Sequence, residues 1–566
     1  MTSENSTAPS QSAGSTERPL LRQTIGDNLR QTAQRFGDNE ALVECWSGRR
    51  WTYTEFDAAV DQVARAFLAA GATVGERVGI WAPNCAEWTL VQYATARAGL
   101  ILVNINPAYR THELEYALNQ SECSFLVSAT RYKTSAYADM VETVLPKTSQ
   151  LRTVVLLDEF GPDADPGEPV DPTSRGSKFL SWQGFLDNAT RIEQAELDQV
   201  SAGLSPDDPI NIQFTSGTTG RPKGATLSHL NLLNNGYFVT ETIRFTDADR
   251  LVIPVPFYHC FGMVMANLGC TAHGATMILP APTFEPTTCL RAVQNERATA
   301  LYGVPTMFIA EQSLPDFDEY DLSTLRTGIM AGSPCPVEVM KRCMSQMHMT
   351  DVSIAYGMTE TSPVSAQTGP DDDVEHRTAT IGRVHPHVEV KVVDPATGEV
   401  VPRGVPGEFC TRGYSVMVGY WNDPERTAEA IDDEGWMHTG DLAVMRTDDY
   451  LDIVGRIKDM VIRGGENIYP REIEEFYYTH PRITDIQVVG VPDPKYGEEL
   501  CAFVRASDDG AGLDADELRA FATGKLAHYK IPRYVLVVDE FPMTVTGKVR
   551  KVDMRDTAAR ELGLVD

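Results

Sequence analysis

The stretch TSGTTGRPKG, Thr215–Gly224, places one lysine among small and hydroxylated residues. Glycines let backbone N–H groups approach phosphate oxygens, hydroxyls add further donors, and Lys223 supplies positive charge. The stretch follows the strand-like INIQF and precedes the helix-like LSHLNLLNNGY. This order puts it at the carboxyl end of a strand, where open α/β sheets bind ligands. It predicts a phosphate-binding loop, and a plain turn is the alternative for such a stretch taken alone.

This loop differs from the P-loop pattern G-x-x-x-x-G-K-[ST]. Arg-Pro separates Gly220 from Lys223, and a glycine follows the lysine. A GTPase-like function is therefore not indicated.

Two further segments carry carboxylates suited to a nucleotide. YGMTE, Tyr356–Glu360, brings an aromatic ring, a hydroxyl and a carboxylate within one short segment. A hard divalent cation takes oxygen ligands and keeps several waters, so one carboxylate plus phosphates suffices to hold it. Asp441, in TGDLA, can accept two hydrogen bonds from a ribose diol. An ordinary loop and an Asp turn are the respective alternatives.

Helical and strand patterns alternate along the first half of the chain. Phe56, Val60, Val63 and Phe67 recur at three- and four-residue steps and predict a helix that stops at Gly71. Further predicted elements are a strand leading into a turn at RVGIWAPN, a helix near 86–98, a strand at 100–103, a helix near 111–119 and a strand at 124–127, with another set over 209–351. Such alternation is typical of mostly parallel sheets covered on both faces.

The pattern of predicted secondary structure changes twice towards the C-terminus. Residues 381–456 hold short β-rich runs separated by Pro-Gly and Asp-Gly turn signals, which predict a small β lobe. After it come a helix from Pro470, strands IQVVGV, CAFVR and YVLVV, and a helix from Asp514. We therefore expect an α/β fold: a disordered tail over 1–24, a large N-terminal domain over 25–457 with two sheets and the β lobe, and a mobile small α+β C-terminal domain over 458–566.

Composition excludes several classes of protein. The formal net charge of −30 over 566 residues argues against a nucleic-acid or anionic-membrane binder, because the surface field repels polyphosphate. The ten cysteines include no C-x-x-C pair, which favours reduced thiols and a cytoplasmic location. The apolar run Leu251–Leu279 is broken by Pro, Gly and His, so we expect buried strands and turns and no transmembrane segment.

Taken together, the motifs resemble the adenylate-forming family of acyl-CoA synthetases, firefly-type luciferases and the adenylation domains of peptide synthetases. TSGTTGRPKG, YGMTE, GWMHTGD, GRIKD and PMTVTGK occur in the family's order, over roughly residues 25–555. The resemblance implies ATP, magnesium and coenzyme A as ligands. The nucleotide-binding residues that it implies are Thr215, Ser216, Gly217, Thr218, Thr219, Gly220, Lys223, Gly332, Ser333, Tyr356, Gly357, Thr359, Asp441, Arg456 and Lys548.

The resemblance also implies roles for these and other residues. Catalysis would fall to Lys548, Thr359, Glu360, Lys223 and His259. Glu360 would hold magnesium, and His259 would lie between the nucleotide and acyl pockets. Lys458 resembles the hinge about which the C-terminal domain turns. Gly464 and Gly465, in RGGEN, resemble the wall of the coenzyme A tunnel.

The implied reaction is ATP-dependent activation of a carboxylic acid and its transfer to coenzyme A, with release of AMP and pyrophosphate. We expect the acyl group to lie in an apolar pocket, which favours a medium-chain fatty acid. The residues expected to line this pocket are Phe257, Phe261, Val304, Met307 and Met358. Two other ligases remain alternatives: one that loads a carrier protein and one that acts on an aromatic acid. From other classes, the alternatives are a catalytically silent ATP-binding sensor and, more weakly, a light-emitting oxidase. Oligomeric state is left open, and a homo-oligomer is compatible with the sequence.

Overall fold

The structure is a computed structural model that describes residues 8–157, 172–215, 222–333, 335–464, 466–507, 513–543 and 549–564. Internal contacts divide the chain into two compact units. One, here called the large unit, comprises Ser12–Val390 and Thr411–Met437. The other, here called the small unit, comprises Met1–Gln11, Lys391–Cys410 and His438–Asp566. The boundary predicted between residues 457 and 458 stays a prediction.

The strands of the described residues are numbered in chain order. They are β1 Gln11–Ala13, β2 Glu40–Glu44, β3 Arg49–Thr52, β4 Arg77–Trp81, β5 Ile101–Asn104, β6 Cys123–Ala129, β7 Thr153–Leu157, β8 Phe179–Ser181, β9 Pro209–Thr215, β10 Lys223–Ser228, β11 Arg250–Val252, β12 Thr276–Leu279, β13 Ala300–Gly303, β14 Thr327–Ala331, β15 Asp351–Gly357, β16 Val364–Gln367, β17 Arg383–Val384, β18 Val388–Val393, β19 Gly407–Gly413, β20 Gly419–Tyr420, β21 Met437–Met445, β22 Leu451–Arg456, β23 Val461–Arg463, β24 Glu466–Ile468, β25 Ile483–Asp493, β26 Gly497–Ala506 and β27 Tyr534–Val537.

The α-helices of the same residues are numbered likewise. They are α1 Ile25–Phe36, α2 Tyr53–Ala69, α3 Ala86–Arg97, α4 Thr111–Gln120, α5 Tyr137–Val144, α6 Trp182–Asp187, α7 Gln194–Ala202, α8 His229–Thr242, α9 Gly269–His273, α10 Pro286–Glu296, α11 Pro305–Gln312, α12 Val337–Gln346, α13 Val374–Ala379, α14 Pro424–Ala430, α15 Pro470–Tyr477, α16 Ala515–Ala522 and α17 Lys551–Glu561.

Two large, mostly parallel sheets lie in the large unit. One has the strand order β20-β10-β9-β5-β4-β6-β7-β8, and the other β17-β16-β15-β14-β13-β11-β12-β2-β3. The pairings of β4 with β5 and β6, of β5 with β9, and of β13 with β14 and β14 with β15 are parallel. Antiparallel strands lie at the ends, for example β10 between β9 and β20. The predicted α/β class and parallel sheets are confirmed.

Local sequence explains the regular elements. Thr52 caps α2, because its hydroxyl accepts from the Glu55 N–H while the Glu55 carboxylate accepts from the Thr52 N–H. The predicted apolar positions of that helix, from Phe56 to Phe67, are buried. The predicted strands and helices between 77 and 129 are present within a residue or two of their expected bounds.

Two smaller sheets complete the described fold. One has the order β1-β18-β19-β21-β22, which corresponds to the predicted β lobe. The other lies in the small unit, with the order β24-β23-β26-β25 and with β27 pairing in parallel with β26. Its helix α15 buries Ile473 and Tyr477 in a core with Val488 and Val504, so this part is α+β, as predicted.

For described residues, one expectation is wrong and a second is confirmed only in part. Residues 8–24, predicted to be disordered, include β1, a Ser10 N–H that donates to the Val401 carbonyl at 2.9 Å, and a Leu21 N–H bonded to the Asn234 side chain at 2.7 Å. These partners are distant in sequence, so the polar composition of the segment gave no sign of them. The run Leu251–Leu279 contains β11 and β12, but between them lie a buried π-helix over Phe261–Leu268 and α9.

Within the described ranges, no helix is both long and apolar enough to cross a membrane. All ten cysteines lie within the described residues, and none of them forms a disulfide bond.

Candidate active site

Predicted site residues of the large unit follow the carboxyl ends of its strands. Thr215 ends β9, Gly332 and Ser333 follow β14, and Tyr356 lies at the end of β15. Because β13, β14 and β15 are parallel neighbours, their carboxyl ends meet at one edge of the sheet. Ligands of open α/β sheets bind at such edges.

A buried carboxylate connects three separate segments of the large unit. Glu360 lies in a short 3₁₀ turn, Thr359–Thr361, and is 5% exposed. Its Oε1 accepts from the Tyr420 hydroxyl at 2.9 Å and from Thr215 Oγ1 at 3.2 Å. Among the described residues no side chain donates to Oε2. The carboxylate is therefore fixed through one oxygen, and its geometry suits monodentate ligation of a divalent cation.

Tyr420 also contacts the lysine of the phosphate loop. The Lys223 Nζ lies 4.3 Å from the centroid of the Tyr420 ring, a cation–π distance. Burial, together with the nearby Glu360, raises the pKa of the Tyr420 phenol above its usual value. The hydroxyl therefore stays protonated and donates to the carboxylate. Lys223, Glu360 and Thr215 are thus brought together around Tyr420, a residue that the sequence analysis did not single out.

Two glycines at this edge are required by their surroundings. A Cβ built on Gly357 would lie 1.7 Å from the Pro363 carbonyl oxygen, so no other residue fits between β15 and the turn after it. Gly332 has a φ of +90°, and a Cβ there would lie 3.2 Å from Val304 Cγ1. A residue assigned to the adenine wall therefore adjoins one assigned to the acyl pocket.

The segment after β11 brings His259 and Cys260 to the same region. The Phe261 N–H donates to His259 Nδ1 at 3.4 Å, and the Cys260 thiol donates to Gln213 Oε1 at 3.1 Å. Burial raises the pKa of the Cys260 thiol to about 12, with hydrogen bonds to Gln213 and Thr359 acting in the opposite direction. The thiol stays protonated and acts as a packing and hydrogen-bonding group beside Thr359.

The five predicted acyl-pocket residues share one hydrophobic core. Phe257 and Phe261 are buried in it, and the other three are half-buried and pack against it. The rings of Phe261 and Tyr302 lie 5.7 Å apart, and those of Phe257 and Trp88 lie 5.5 Å apart. The surroundings of these residues are apolar and aromatic, which suits a hydrocarbon chain.

In the small unit, Asp441 and Arg456 form an ion pair. They face each other across the antiparallel strands β21 and β22, and Arg456 Nε lies 3.0 Å from Asp441 Oδ1. The Asp441 side chain is 13% exposed and that of Arg456 is 62% exposed. The arginine therefore has one edge towards solvent and one towards the carboxylate.

The predicted hinge and tunnel residues also lie in the small unit. Lys458 is in a 3₁₀ turn, Ile457–Asp459, and its carbonyl accepts from Arg555 of α17 at 2.8 Å. Gly464 has a φ of +61°, and its N–H donates to the Tyr496 carbonyl at 2.8 Å. The roles assigned to Lys458 and Gly464 stay predictions.

Other predicted site residues lie outside the described residues. These are Ser216, Gly217, Thr218, Thr219, Gly220, Gly465 and Lys548.

Fold and site define a nucleotide-binding α/β protein with a carboxylate, a lysine and hydroxyls gathered at strand ends. Residues 29–421 match the AMP-binding enzyme family, and residues 472–548 match the AMP-binding enzyme C-terminal domain. The chain belongs to the AMP-binding enzyme family.

Relatives that match along nearly the whole chain include one named an acyl-CoA synthetase and one named a medium-chain acyl-CoA ligase. YngI of Bacillus subtilis (strain 168) is 48% identical over 95% of this chain and 97% of its own length. The human medium-chain acyl-CoA ligase ACSF2, described as mitochondrial, is 42% identical over 97% of this chain and 90% of its own length.

Solved structures are similar to the chain throughout. ATP-bound MatB from Rhodopseudomonas palustris matches with a TM-score of 0.81 at 30% identity, covering 95% of this chain and 99% of that protein. A fatty acyl CoA synthetase of Mycobacterium tuberculosis matches with a TM-score of 0.71 at 26% identity, covering 95% and 99%. The predicted family is confirmed.

Proposed function

We propose that the protein is an ATP-dependent acyl-CoA ligase that acts on a medium-chain fatty acid. It converts the acid and ATP into an acyl-adenylate and pyrophosphate, and then the adenylate and coenzyme A into a thioester and AMP. The observation that carries the proposal is the grouping of Thr215, Lys223 and Glu360 around Tyr420, which joins β9, β10 and β20 of the eight-stranded sheet to the turn after β15 of the other large sheet. The family membership and the names of the relatives support it.

The first half-reaction gives the acyl carbon a good leaving group, AMP. A carboxylate is a poor electrophile, because a thiolate cannot expel oxide from it. A carboxylate oxygen therefore attacks the α-phosphorus of ATP, and the bond to the bridging oxygen of pyrophosphate breaks. Lys223 and Thr359 stabilise the charge that spreads over the phosphoryl oxygens.

Glu360 would hold magnesium, which, when bound, supplies positive charge to the phosphate oxygens. Tyr420 and Thr215 keep the Glu360 carboxylate in one orientation. Lys548 supplies a further cation over the acyl carboxylate and the α-phosphate. Asp441 accepts hydrogen bonds from the ribose diol, with Arg456 beside it.

In the second half-reaction the coenzyme A thiolate attacks the acyl carbonyl. The bond from the carbonyl carbon to the adenylate oxygen breaks, so AMP leaves with an oxygen that came from the acid. Turning at Lys458 withdraws Lys548 and admits the pantetheine arm past Gly464 and Gly465. We also propose a cytoplasmic location, supported by ten cysteines that form no disulfide bond.

The preference for a medium-chain acid is supported by the apolar surroundings of Phe257 and Phe261, and by the proximity of Val304 to Gly332. Apolar pockets discriminate one methylene by only about 1–3 kcal/mol, so neighbouring chain lengths are expected to be accepted.

A screen of AMP release tests the function. Carboxylic acids from acetate to palmitate, with benzoate included, are supplied with ATP, magnesium and coenzyme A. We expect the highest kcat/KM for medium-chain acids. A preference for benzoate would favour the aromatic-acid ligase, and acid-dependent pyrophosphate release without a coenzyme A thioester would favour loading of a carrier protein. Absence of any acid-dependent turnover would favour an ATP-binding sensor.

A further inference from the structure

The turn that carries Asp441 is held by a carboxylate on the neighbouring strand. Glu408 is near the start of β19, and its side chain is 13% exposed. Glu408 Oε1 accepts from the Gly440 N–H at 3.1 Å, and Glu408 Oε2 lies 2.9 Å from His438 Nδ1. One carboxylate thus engages both residues that flank Thr439.

Thr439 completes the same network. Its hydroxyl donates to the Phe409 carbonyl at 2.7 Å and accepts from the Asp441 N–H at 3.1 Å. Gly440 has a φ of +71°, a conformation that glycine adopts without strain. Groups on β19 therefore contact three successive residues, through the His438 and Thr439 side chains and the Gly440 N–H, and the Thr439 hydroxyl extends the network to the Asp441 N–H.

Hydrogen bonds account for the close approach of Glu408, Cys410 and His438. The ligand atoms of Glu408, Cys410 and His438 lie within 4.8 Å of one another, a spacing also compatible with a metal ion. However, both oxygens of Glu408 already meet partners on β21 at hydrogen-bond distance, and His438 Nδ1 faces one of them. The arrangement is that of a carboxylate anchoring a turn.

We propose that Glu408 is a positioning residue for recognition of the ribose. It fixes the turn so that the Asp441 carboxylate, with Arg456 Nε 3.0 Å from its Oδ1, presents an oxygen to the ribose diol. This inference rests on the proposed role of Asp441. Both oxygens of Glu408 are engaged by β21, so it acts through the turn, and its removal weakens the distinction between ATP and nucleotides that lack a ribose hydroxyl.

The test compares kcat/KM for ATP with that for 2′-deoxy-ATP and 3′-deoxy-ATP, measured as octanoate-dependent pyrophosphate release. The ratio is taken on one enzyme sample, so partial loss of folded protein cancels. In Glu408→Ala we expect the preference for ATP to fall by about tenfold, as for loss of a hydrogen bond to a charged group. Glu408→Gln keeps an acceptor for the Gly440 N–H and should retain more of the preference.

Two further variants distinguish loss of the positioning role of Glu408 from loss of the ribose role of Asp441. Asp441→Asn should lose the preference for ATP, and Thr439→Val, which breaks the same turn, should lose part of it. Glu389→Ala removes a surface carboxylate of β18 that pairs with Arg412, and serves as the matched control with an unchanged ratio.

An unchanged ratio in both Glu408→Ala and Thr439→Val, with a reduced ratio in Asp441→Asn, would overturn the positioning role and leave the ribose role intact. An unchanged ratio in Asp441→Asn would overturn the ribose assignment itself, and the positioning role with it.

Discussion

Replacing Tyr420 with phenylalanine removes one hydroxyl and keeps the ring that faces Lys223. Tyr420 is 6% exposed and Glu360 is 5% exposed, so water does not readily replace the lost donor. The shorter of the two hydrogen bonds to Glu360 Oε1, 2.9 Å, disappears, and the bond from Thr215 at 3.2 Å remains.

The size of the effect follows from the charge of the acceptor. A hydrogen bond to a charged group contributes about 1.5–3 kcal/mol, which corresponds to roughly 10- to 100-fold in rate. Loss of a group that orients a metal-ligating carboxylate has effects of similar size. We expect Tyr420→Phe to reduce adenylation by this factor and to raise the magnesium concentration that gives the half-maximal rate.

The assay is octanoate-dependent pyrophosphate release over a magnesium titration. Tyr414→Phe is a matched control, because Tyr414 is half-buried and its hydroxyl accepts from the Asn235 side chain rather than donating to Glu360. Thioester formation from supplied octanoyl-adenylate should change little in Tyr420→Phe, since the pyrophosphate has already left. Adenylation and magnesium dependence both equal to those of the unmodified enzyme would refute the assigned role of Tyr420.

Two other variants test separate parts of the account. Lys548→Ala should slow adenylate formation on the order of 10² to 10³, yet spare thioester formation from supplied octanoyl-adenylate, because the cation acts in the first step. His229→Asn should reduce the acid dependence of stability, to which the buried His385 also contributes because burial lowers its pKa to about 3. Burial lowers the pKa of His229 from 6.5 to about 4, and its Nδ1 accepts from the Ile25 N–H at 3.1 Å. Between these values the unfolded chain binds a proton that the folded protein does not, so stability falls as pH falls from 6.5 towards 4. The full loss from this residue is about 3 kcal/mol, and urea unfolding over that pH range measures it.

Each of these has a contrary outcome. Equal loss of both half-reactions in Lys548→Ala would contradict a first-step role for that lysine. Parallel stability profiles for the wild type and His229→Asn, which keeps an acceptor for the Ile25 N–H, would show that His229 does not contribute to the acid dependence.

Local patterns made the regular elements predictable. The spacing from Phe56 to Phe67 gives one buried face of α2, and the alternation of helix and strand signals implies parallel pairing, which the partners of β4 and β14 confirm. Such signals act over a few residues along the chain, and a single sequence contains them.

Contacts between distant segments were not predictable in this way. Tyr420 contacts Glu360 because a two-residue strand, β20, pairs with β10. The same pairing places the Tyr420 ring beside Lys223. Glu408 reaches Gly440 across neighbouring strands of a sheet. Ser10 and Leu21, in a segment of polar composition, have partners hundreds of residues away. No periodicity marks any of these, so the residues that support the site were found only from the fold.

The fate of oxygen tests the central claim most directly. Octanoate labelled with ¹⁸O in both carboxylate positions is turned over with ATP and coenzyme A, and the nucleotide product is analysed by mass spectrometry. Attack of the carboxylate on the α-phosphorus predicts AMP that carries one ¹⁸O atom, together with unlabelled pyrophosphate. Unlabelled AMP, or ADP with the label in inorganic phosphate, would contradict an acyl-adenylate intermediate.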